Sequence, residues 1–247
     1  MTWSIVARDP ASGAFGVIIA TRFFAVGALC PHAMSGVGAL ATQALVNPTF
    51  GPHGLRLLGE GMPAEDVQAA LLAGDAGRAS RQLHILDAAG RNAAHTGGDC
   101  IDWCGHRLGA GFSVAGNMLA GPRVVEDSFA AYAAGAALPF AERLLAAMAA
   151  GEAAGGDKRG KQSAALRIHS TEDYPELDIR VDDHAEPLRE LDRLYRESRK
   201  VFGLFRRFLP TRANPAGIHD RAVIEQALAE RAEQLSRENK TPTAPSS

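Results

Sequence analysis

The chain has 247 residues, of which 46% are hydrophobic and 22% charged, the balance of a soluble globular protein with a sizeable core. Its net charge of -2, with both signs mixed along most of the sequence, argues against nucleic acid or an anionic membrane as a partner. Three cysteines are too few for a disulfide framework, no apolar run could span a bilayer and no secretion signal opens the chain, so we expect a cytoplasmic protein.

The first predicted element is a β-hairpin that begins at the second residue. Apolar and polar residues alternate over residues 2–8, residues 9–13 supply turn chemistry, and an apolar run follows over residues 15–20. The hairpin places Thr2 at the head of a strand, where its geometry can be held. Arg22 follows the second strand and could reach back toward Thr2, although a surface charge that closes a strand explains it equally well.

A third strand, rich in small residues, is predicted over residues 36–45. Thr42 and Gln43 are polar positions near its end, and they either line a pocket or satisfy backbone groups. Two helices follow, over residues 52–58 and from Pro63 to the residue before Gly74, because proline opens helices and glycine ends them.

The middle of the chain alternates pairs of strands and pairs of helices. A glycine-dense passage leads into the strand that precedes Asn117. This order indicates an α+β protein with sheets inside and helices outside. The remaining predicted elements are strands over 82–87, 92–96, 112–116, 164–169 and 177–181 and helices over 124–134 and 139–150.

The C-terminal part changes character near Glu186. Leucine, valine and aromatic residues recur at helical spacing over 188–208, which predicts a long amphipathic helix, and a second helix is predicted over 220–237. The aromatic stripe needs burial, so we expect a homo-oligomer. We therefore divide the chain into residues 1–195, a helical extension over 196–239 and a disordered tail over 240–247.

Thr2 is a candidate nucleophile. A small second residue favours removal of Met1, which would give Thr2 a free α-amine beside its hydroxyl. An α-amine has a pKa of about 8, close enough to neutrality to take the hydroxyl proton. A threonine at the second position is also common by chance, so the interpretation depends on the rest of the chain.

Five segments in order resemble the domain of unknown function 1028 family, which is similar in fold to the N-terminal nucleophile (Ntn) hydrolases. The resemblance covers residues 1–195 and implies a four-layer αββα sandwich, with Thr2 at the nucleophile position. Several related hydrolases have a lysine on the third strand, where this chain has Thr42 and Gln43. The segments are Thr2–Asp9, Ala20–Gly27, Ala41–Asn47, Gly116–Leu119 and Ala154–Ala164.

The hypothesis from these residues is hydrolysis of a small-molecule amide, without a cofactor. Asn117 and nearby backbone N–H groups would hold the oxyanion. Arg22 or Lys158 would pair with a substrate carboxylate, and Asp157 would bind a substrate amine or fix one of those cations. Asp157 and Lys158 lie in a glycine-rich charged segment that could equally be a solvated loop.

Two alternatives stay open at the sequence level. The first is a zinc site, for which the residue types are suitable but the single Cys-x3-Cys lacks the paired spacing of structural sites. The second is a non-catalytic subunit that keeps the fold for assembly or ligand binding. The candidate zinc ligands are His95, Asp99, Cys100, Cys104 and His106.

Overall fold

The computed structural model describes residues 2–240, with side chains described through residue 237. The strands are Thr2–Arg8 (β1), Phe15–Thr21 (β2), Pro31–Met34 (β3), Gly38–Ala44 (β4), Arg81–Asp87 (β5), Asn92–Thr96 (β6), Trp103–Gly109 (β7), Phe112–Leu119 (β8), Ser163–His169 (β9) and Leu177–Val181 (β10). The helices are Phe50–Gly59 (α1), Ala64–Ala73 (α2), Arg123–Ala134 (α3), Phe140–Ala153 (α4), Pro187–Ser198 (α5), Val201–Phe205 (α6) and Arg221–Lys240 (α7).

The strands form two antiparallel sheets that face each other. The larger sheet has the order β10-β9-β2-β1-β8-β7, and the smaller has the order β3-β4-β5-β6. Helices α3 and α4 pack on the larger sheet, α1 and α2 pack on the smaller, and β1, β2 and β8 contact β4 and β5 across the interior. The predicted α+β class, with sheets inside and helices outside, is confirmed.

Strand β1 lies in the middle of the larger sheet, and every residue in it except the last, Arg8, is buried. Trp3 points toward helix α4, which comes so close that a Cβ on Gly151 would lie 2.9 Å from the indole nitrogen of Trp3. The opposite face carries Thr2, Ser4 and Val6 toward the smaller sheet. Side chains alternate along a strand, so every second residue of β1 enters the space between the sheets.

Two strands, β3 and β7, were not predicted from the sequence. Strand β3 is four residues long and begins with a proline, and it pairs with β4 through a turn in which Gly36 has φ +73°. The strand predicted over residues 36–45 is β4, which begins at Gly38 because residues before it form the turn. Strand β7 lies at a sheet edge, has no buried residue and contains two glycines, so it lacks the alternation typical of a strand.

The chain separates into two compact units, one ending at Leu191 and the other beginning at Asp192. The single long helix predicted after Glu186 is wrong. Helix α5 ends at Ser198, whose hydroxyl donates to the carbonyl of Tyr195 at 2.7 Å, a local bond that competes with helix continuation. The predicted tail lies outside the described residues from 241 onward. Within residues 2–240 no helix is both long and apolar enough to cross a membrane.

Candidate active site

Four polar side chains stand side by side across the larger sheet, at the end where β1 begins. Asn117 pairs with Thr2, Thr2 with Thr21, and Thr21 with Ser163, in β8, β1, β2 and β9. Directly paired residues in antiparallel strands point to the same face, so all four enter the space between the sheets. We call these four residues the polar row. Thr21 and Ser163 were not predicted, because only strand register brings them beside Thr2.

Thr2 lies at the centre of the polar row and is 7% exposed. Its Oγ1 is 3.1 Å from Oγ1 of Thr21. The backbone N–H of Arg8 donates to the carbonyl of Gly111 on the β8 side, and the alternation of the ladder puts the N–H of Thr2 on that side too. The hydroxyl of Thr2 therefore contacts β2, while its α-nitrogen lies beside Asn117.

Gln82 on the smaller sheet fixes the orientation of the amides around Thr2. Its Nε2 lies 2.8 Å from the carbonyl oxygen of Gly116 and 3.1 Å from that of Gly105, and a carbonyl oxygen can only accept a hydrogen bond. Its Oε1 must therefore be the acceptor, and it receives Nε2 of Gln43 at 2.7 Å and Nδ2 of Asn117 at 2.9 Å. Oδ1 of Asn117 is left buried without a hydrogen-bond partner.

A buried histidine continues the network behind Thr2. Oγ of Ser4 donates to Oε1 of Gln43 at 2.7 Å and so accepts from Nε2 of His84 at 2.8 Å. Nδ1 of His84 then accepts from Oγ of Ser113, also at 2.8 Å. Burial and then the nearby His106 lower the pKa of His84 to about 3. His84 is therefore a neutral group with both ring nitrogens bonded.

A pocket of about 300 Å³ opens beside Thr2. Thr2, Thr21 and Gln43 supply its polar lining, and most of the rest is apolar. Cys30 also lines it, but burial raises the pKa of that thiol to about 12, so it is a poor nucleophile. Arg159 is the one charged side chain among the described residues that line the pocket.

Backbone strain gathers around this pocket. Within residues 2–240, four residues other than glycine have a positive φ, and two of them, Ala25 at 52° and Ala44 at 68°, line the pocket. A third, Met118 at 55°, follows Asn117. Such conformations cost of order 1–3 kcal/mol and persist where the surrounding structure enforces them, often at functional sites.

The structure brings some of the predicted site residues together and separates others. Thr2 and Gln43 line the pocket, and Asn117 is beside Thr2 in the polar row. Thr42 points the other way along β4, and its hydroxyl donates to the carbonyl of Asn47 at 3.1 Å. Lys158 is half exposed and forms an ion pair with Asp102 at 2.7 Å, outside the pocket lining.

Asp157 has a positioning role in this geometry. Its carboxylate, 1% exposed, accepts the backbone N–H of Arg22 at 2.7 Å and that of Arg159 at 2.8 Å. It also forms an ion pair with the Arg159 guanidinium at 3.3 Å. The side chain of Arg22 donates to Gln162 instead of lining the pocket. The cations predicted from the sequence were Arg22 and Lys158, and Arg159 was missed.

The geometry gives no support to the zinc alternative. Among the described residues, no group of three or more His, Cys, Asp or Glu side chains is arranged to hold a metal ion. His95 contacts the carbonyl of Arg78 at 2.9 Å, and His106 contacts Oγ1 of Thr96 at 2.9 Å. The two cysteines of the candidate zinc set, Cys100 and Cys104, donate their thiol hydrogens to backbone carbonyls.

Comparisons with known proteins place the chain in a family and find a solved structure with a closely similar fold. A family model described as a family of unknown function, DUF1028, matches residues 2–191. The crystal structure of a protein of the same family from Silicibacter pomeroyi is similar with a TM-score of 0.82 and 32% identity, covering 89% of this chain and 99% of that one. Anbu, an ancestral beta-subunit from Yersinia bercovieri, is a distant match with a TM-score of 0.37 and 11% identity, covering 84% and 98%. No curated protein matches the chain.

Proposed function

We propose that this chain, which belongs to the family of unknown function DUF1028, is an N-terminal nucleophile hydrolase that cleaves a small-molecule amide. The observation that supports it is the position of Thr2, the first residue of a central strand, in the lining of a pocket and paired with Asn117 across the ladder. The layered arrangement of two facing sheets between helices is the one that the resemblance to the Ntn hydrolases implies. Removal of Met1 would complete the site.

The proposed reaction uses Thr2 alone as nucleophile and base. Its free α-amine, directly or through a water, takes the Oγ proton, and Oγ attacks the carbonyl carbon of the amide. The carbon–nitrogen bond breaks and the leaving amine departs with the transferred proton. Water then attacks the resulting ester, which releases the carboxylic acid and restores the threonine hydroxyl.

Asn117 has an orientation that favours a role different from the one the sequence suggested. Gln82 holds one N–H of its amide, so the group left without a partner is the acceptor Oδ1. We propose that Oδ1 accepts a hydrogen bond from the α-amine of Thr2 once Met1 is removed. That bond would direct the nitrogen lone pair toward Oγ and give the buried oxygen the donor it lacks.

The decisive experiment combines the mass of the purified chain with acylation by a β-lactone, a reagent that forms an ester with an activated hydroxyl. We expect Met1 to be absent and one acyl group to attach at Thr2. Thr2→Val keeps the shape of the side chain and should remove acylation, whereas Thr2→Ser should retain it. Thr49→Val is the matched control, because Thr49 is exposed and lies outside the pocket lining.

Two results would contradict the proposal. One is an active protein that retains Met1, since the base would then be an amide nitrogen. The other is a Thr2→Val variant that is acylated as fast as the parent chain. Either result would favour the non-catalytic alternative or a different nucleophile.

A further inference from the structure

We infer that the pocket beside Thr2 selects N-acyl amino acids, with the apolar acyl chain against the segment 23–30 and the carboxylate at Arg159. This inference rests on the proposed function and names its substrate class. It follows from three features of the pocket: its apolar wall, the bonds that hold that wall in place, and its single charged side chain.

The apolar wall is formed largely by side chains that solvent reaches. Phe23, Phe24 and Leu29 are 63%, 61% and 42% exposed, and Leu45 across the pocket is 65% exposed. Large apolar residues this exposed and this close together usually mark a binding surface. Their place beside the candidate nucleophile argues that the apolar group they receive belongs to the molecule that Thr2 attacks.

The wall is fixed in place by hydrogen bonds to its backbone. Oγ of Ser163 donates to the carbonyl of Phe23 at 2.6 Å and accepts the N–H of Val26 at 3.1 Å. The N–H of Ala25 donates to the carbonyl of Asp182 at 3.0 Å. Gly27 packs so closely that a Cβ there would lie 2.6 Å from Cβ of Ala165. A segment held at this many points is a preformed wall, as ligand pockets usually require.

Arg159 supplies the charge that the pocket offers to a ligand. Its side chain is 39% exposed, whereas its partner Asp157 is 1% exposed, so the guanidinium is the member of the pair that solvent or a ligand reaches. A guanidinium binds carboxylates through paired N–H donors. With no acidic side chain in the described lining, the pocket favours an anionic group over a cationic one.

The size of the pocket favours a small molecule over a protein segment. A volume of about 300 Å³ is at the small end of ligand pockets and suits a short acyl chain joined to an amino acid. Thr2 and Thr21 present their hydroxyls in the lining, where the amide between those two groups would lie. An apolar acyl chain, an amide and a carboxylate together define an N-acyl amino acid.

The experiment compares three probes with the full chain: N-hexanoylglycine, N-acetylglycine and N-hexanoylglycinamide. We expect kcat/KM for N-hexanoylglycine to exceed that for each of the other two by about tenfold or more. Binding of the same probes to Thr2→Val, measured by calorimetry, should follow the same order without turnover.

Matched variants separate the wall from the cation. Arg159→Gln should remove the preference for N-hexanoylglycine over N-hexanoylglycinamide, and Arg159→Lys should keep part of it. Arg22 is a nearby cation whose side chain lies outside the lining, so Arg22→Gln should keep the whole preference. Phe24→Ala should lower the preference for hexanoyl over acetyl about tenfold. Phe202→Ala removes another half-exposed phenylalanine, in the C-terminal unit, and should leave the preference for hexanoyl over acetyl unchanged.

The outcomes distinguish this inference from the proposed function. Hydrolysis or acylation that depends on Thr2 but shows no preference among the three probes would overturn the substrate class and leave the function standing. Binding in the expected order, lost in Arg159→Gln, with no role for Thr2 in acylation, would support the pocket and overturn the chemistry. Equal effects of Arg159→Gln and Arg22→Gln would also overturn the assignment of Arg159.

Discussion

The space between the sheets has two ends that differ in chemistry although the same strands build both. Along β1 the inward side chains are Thr2 and Ser4 and then Val6, and along β5 they are Gln82 and His84 and then Leu86. The polar end contains the polar row, Gln82 and His84. The other end is a cluster of seven buried apolar residues, Val6, Phe15, Val17, Ala33, Ala39, Ala41 and Leu86.

The two ends differ in what they contribute to stability, and the polar end is the one that contains the candidate site. Burial of apolar side chains contributes about 25 cal/mol per Å² of surface removed from water. A buried polar group contributes little even when it is bonded and destabilises the fold when it is not. The unpartnered Oδ1 of Asn117 therefore costs stability, which is consistent with the role that we propose for Asn117 beside Thr2.

The largest expected effect is at the apolar end. Leu86→Ala removes a fully buried side chain from the apolar cluster and should lower the free energy of unfolding by about 2–5 kcal/mol. Urea denaturation at pH 7.5 measures this. The apolar end is not adjacent to the polar row, so β-lactone acylation should persist below the unfolding transition. A loss below about 1 kcal/mol would mean that the cluster is not the stabilising end.

The next effect depends on pH and concerns His84. Its pKa is about 3 in the folded chain and about 6.5 when unfolded, so below pH 6.5 only the unfolded chain gains the proton. The stability that a neutral His84 provides is complete above pH 6.5 and is lost as the pH falls toward 3. Between pH 7.5 and 5 this linkage should lower the free energy of unfolding by about 2 kcal/mol.

The chain has eight histidines, so the His84 effect is measured as a difference between variants. His84→Gln should show a smaller loss of stability between pH 7.5 and 5 than the parent chain. His53→Gln, a change at an exposed histidine on α1, is the matched control and should show the parent's loss. Identical pH dependence in all three proteins would mean that His84 is not a buried neutral group.

A smaller effect of opposite sign is expected at Asn117. Asn117→Leu removes a buried acceptor without a partner and leaves Oε1 of Gln82 bonded to Gln43. The free energy of unfolding should rise by about 1 kcal/mol, while acylation of Thr2 slows by about a hundredfold. Urea denaturation and the acylation rate test both parts. A variant that is less stable than the parent chain and keeps its acylation rate would mean that Asn117 stabilises the fold and does not serve the proposed chemistry.

The smallest effect is expected at Ala44, in the pocket lining. Ala44→Gly relieves a left-handed backbone conformation but gives the unfolded chain more freedom, so the free energy of unfolding should change by no more than about 0.5 kcal/mol. Urea denaturation can measure such a small change when the variant and the parent chain are unfolded side by side. A gain of several kcal/mol would mean that the pocket stores more strain than its geometry indicates.

The class of the fold and many of its elements could be predicted, because their local signals agree with the final structure. The hairpin of β1 and β2 has alternation and a turn, and α2 has Pro63 before it and Gly74 after it. Strand β7 could not be predicted, because at an exposed edge nothing requires apolar residues at alternate positions. Helix α5 stops at a local side-chain bond that periodicity does not report.

The candidate site was predictable only where position in the chain or a resemblance pointed to it. Thr2 is marked by its place in the chain, and Asn117 and Gln43 by the family segments. Gln82 carries no local signal, since its importance comes from the carbonyls it faces across the sheets. The choice between Lys158 and Arg159 depends on which way consecutive loop side chains point, and spacing cannot supply that in an irregular segment.

The place of Thr2 between β2 and β8 sets a time limit on the removal of Met1. Strand β8 begins at Phe112, and ribosomes add about 5–20 residues per second, so β1 waits roughly ten seconds for its second neighbour. Once that pairing forms, Thr2 is 7% exposed, which leaves little of it for an aminopeptidase to recognise. The proposed chemistry therefore predicts that Met1 is removed while the chain is still being synthesised, and that chains that miss this interval fold without the free amine it needs.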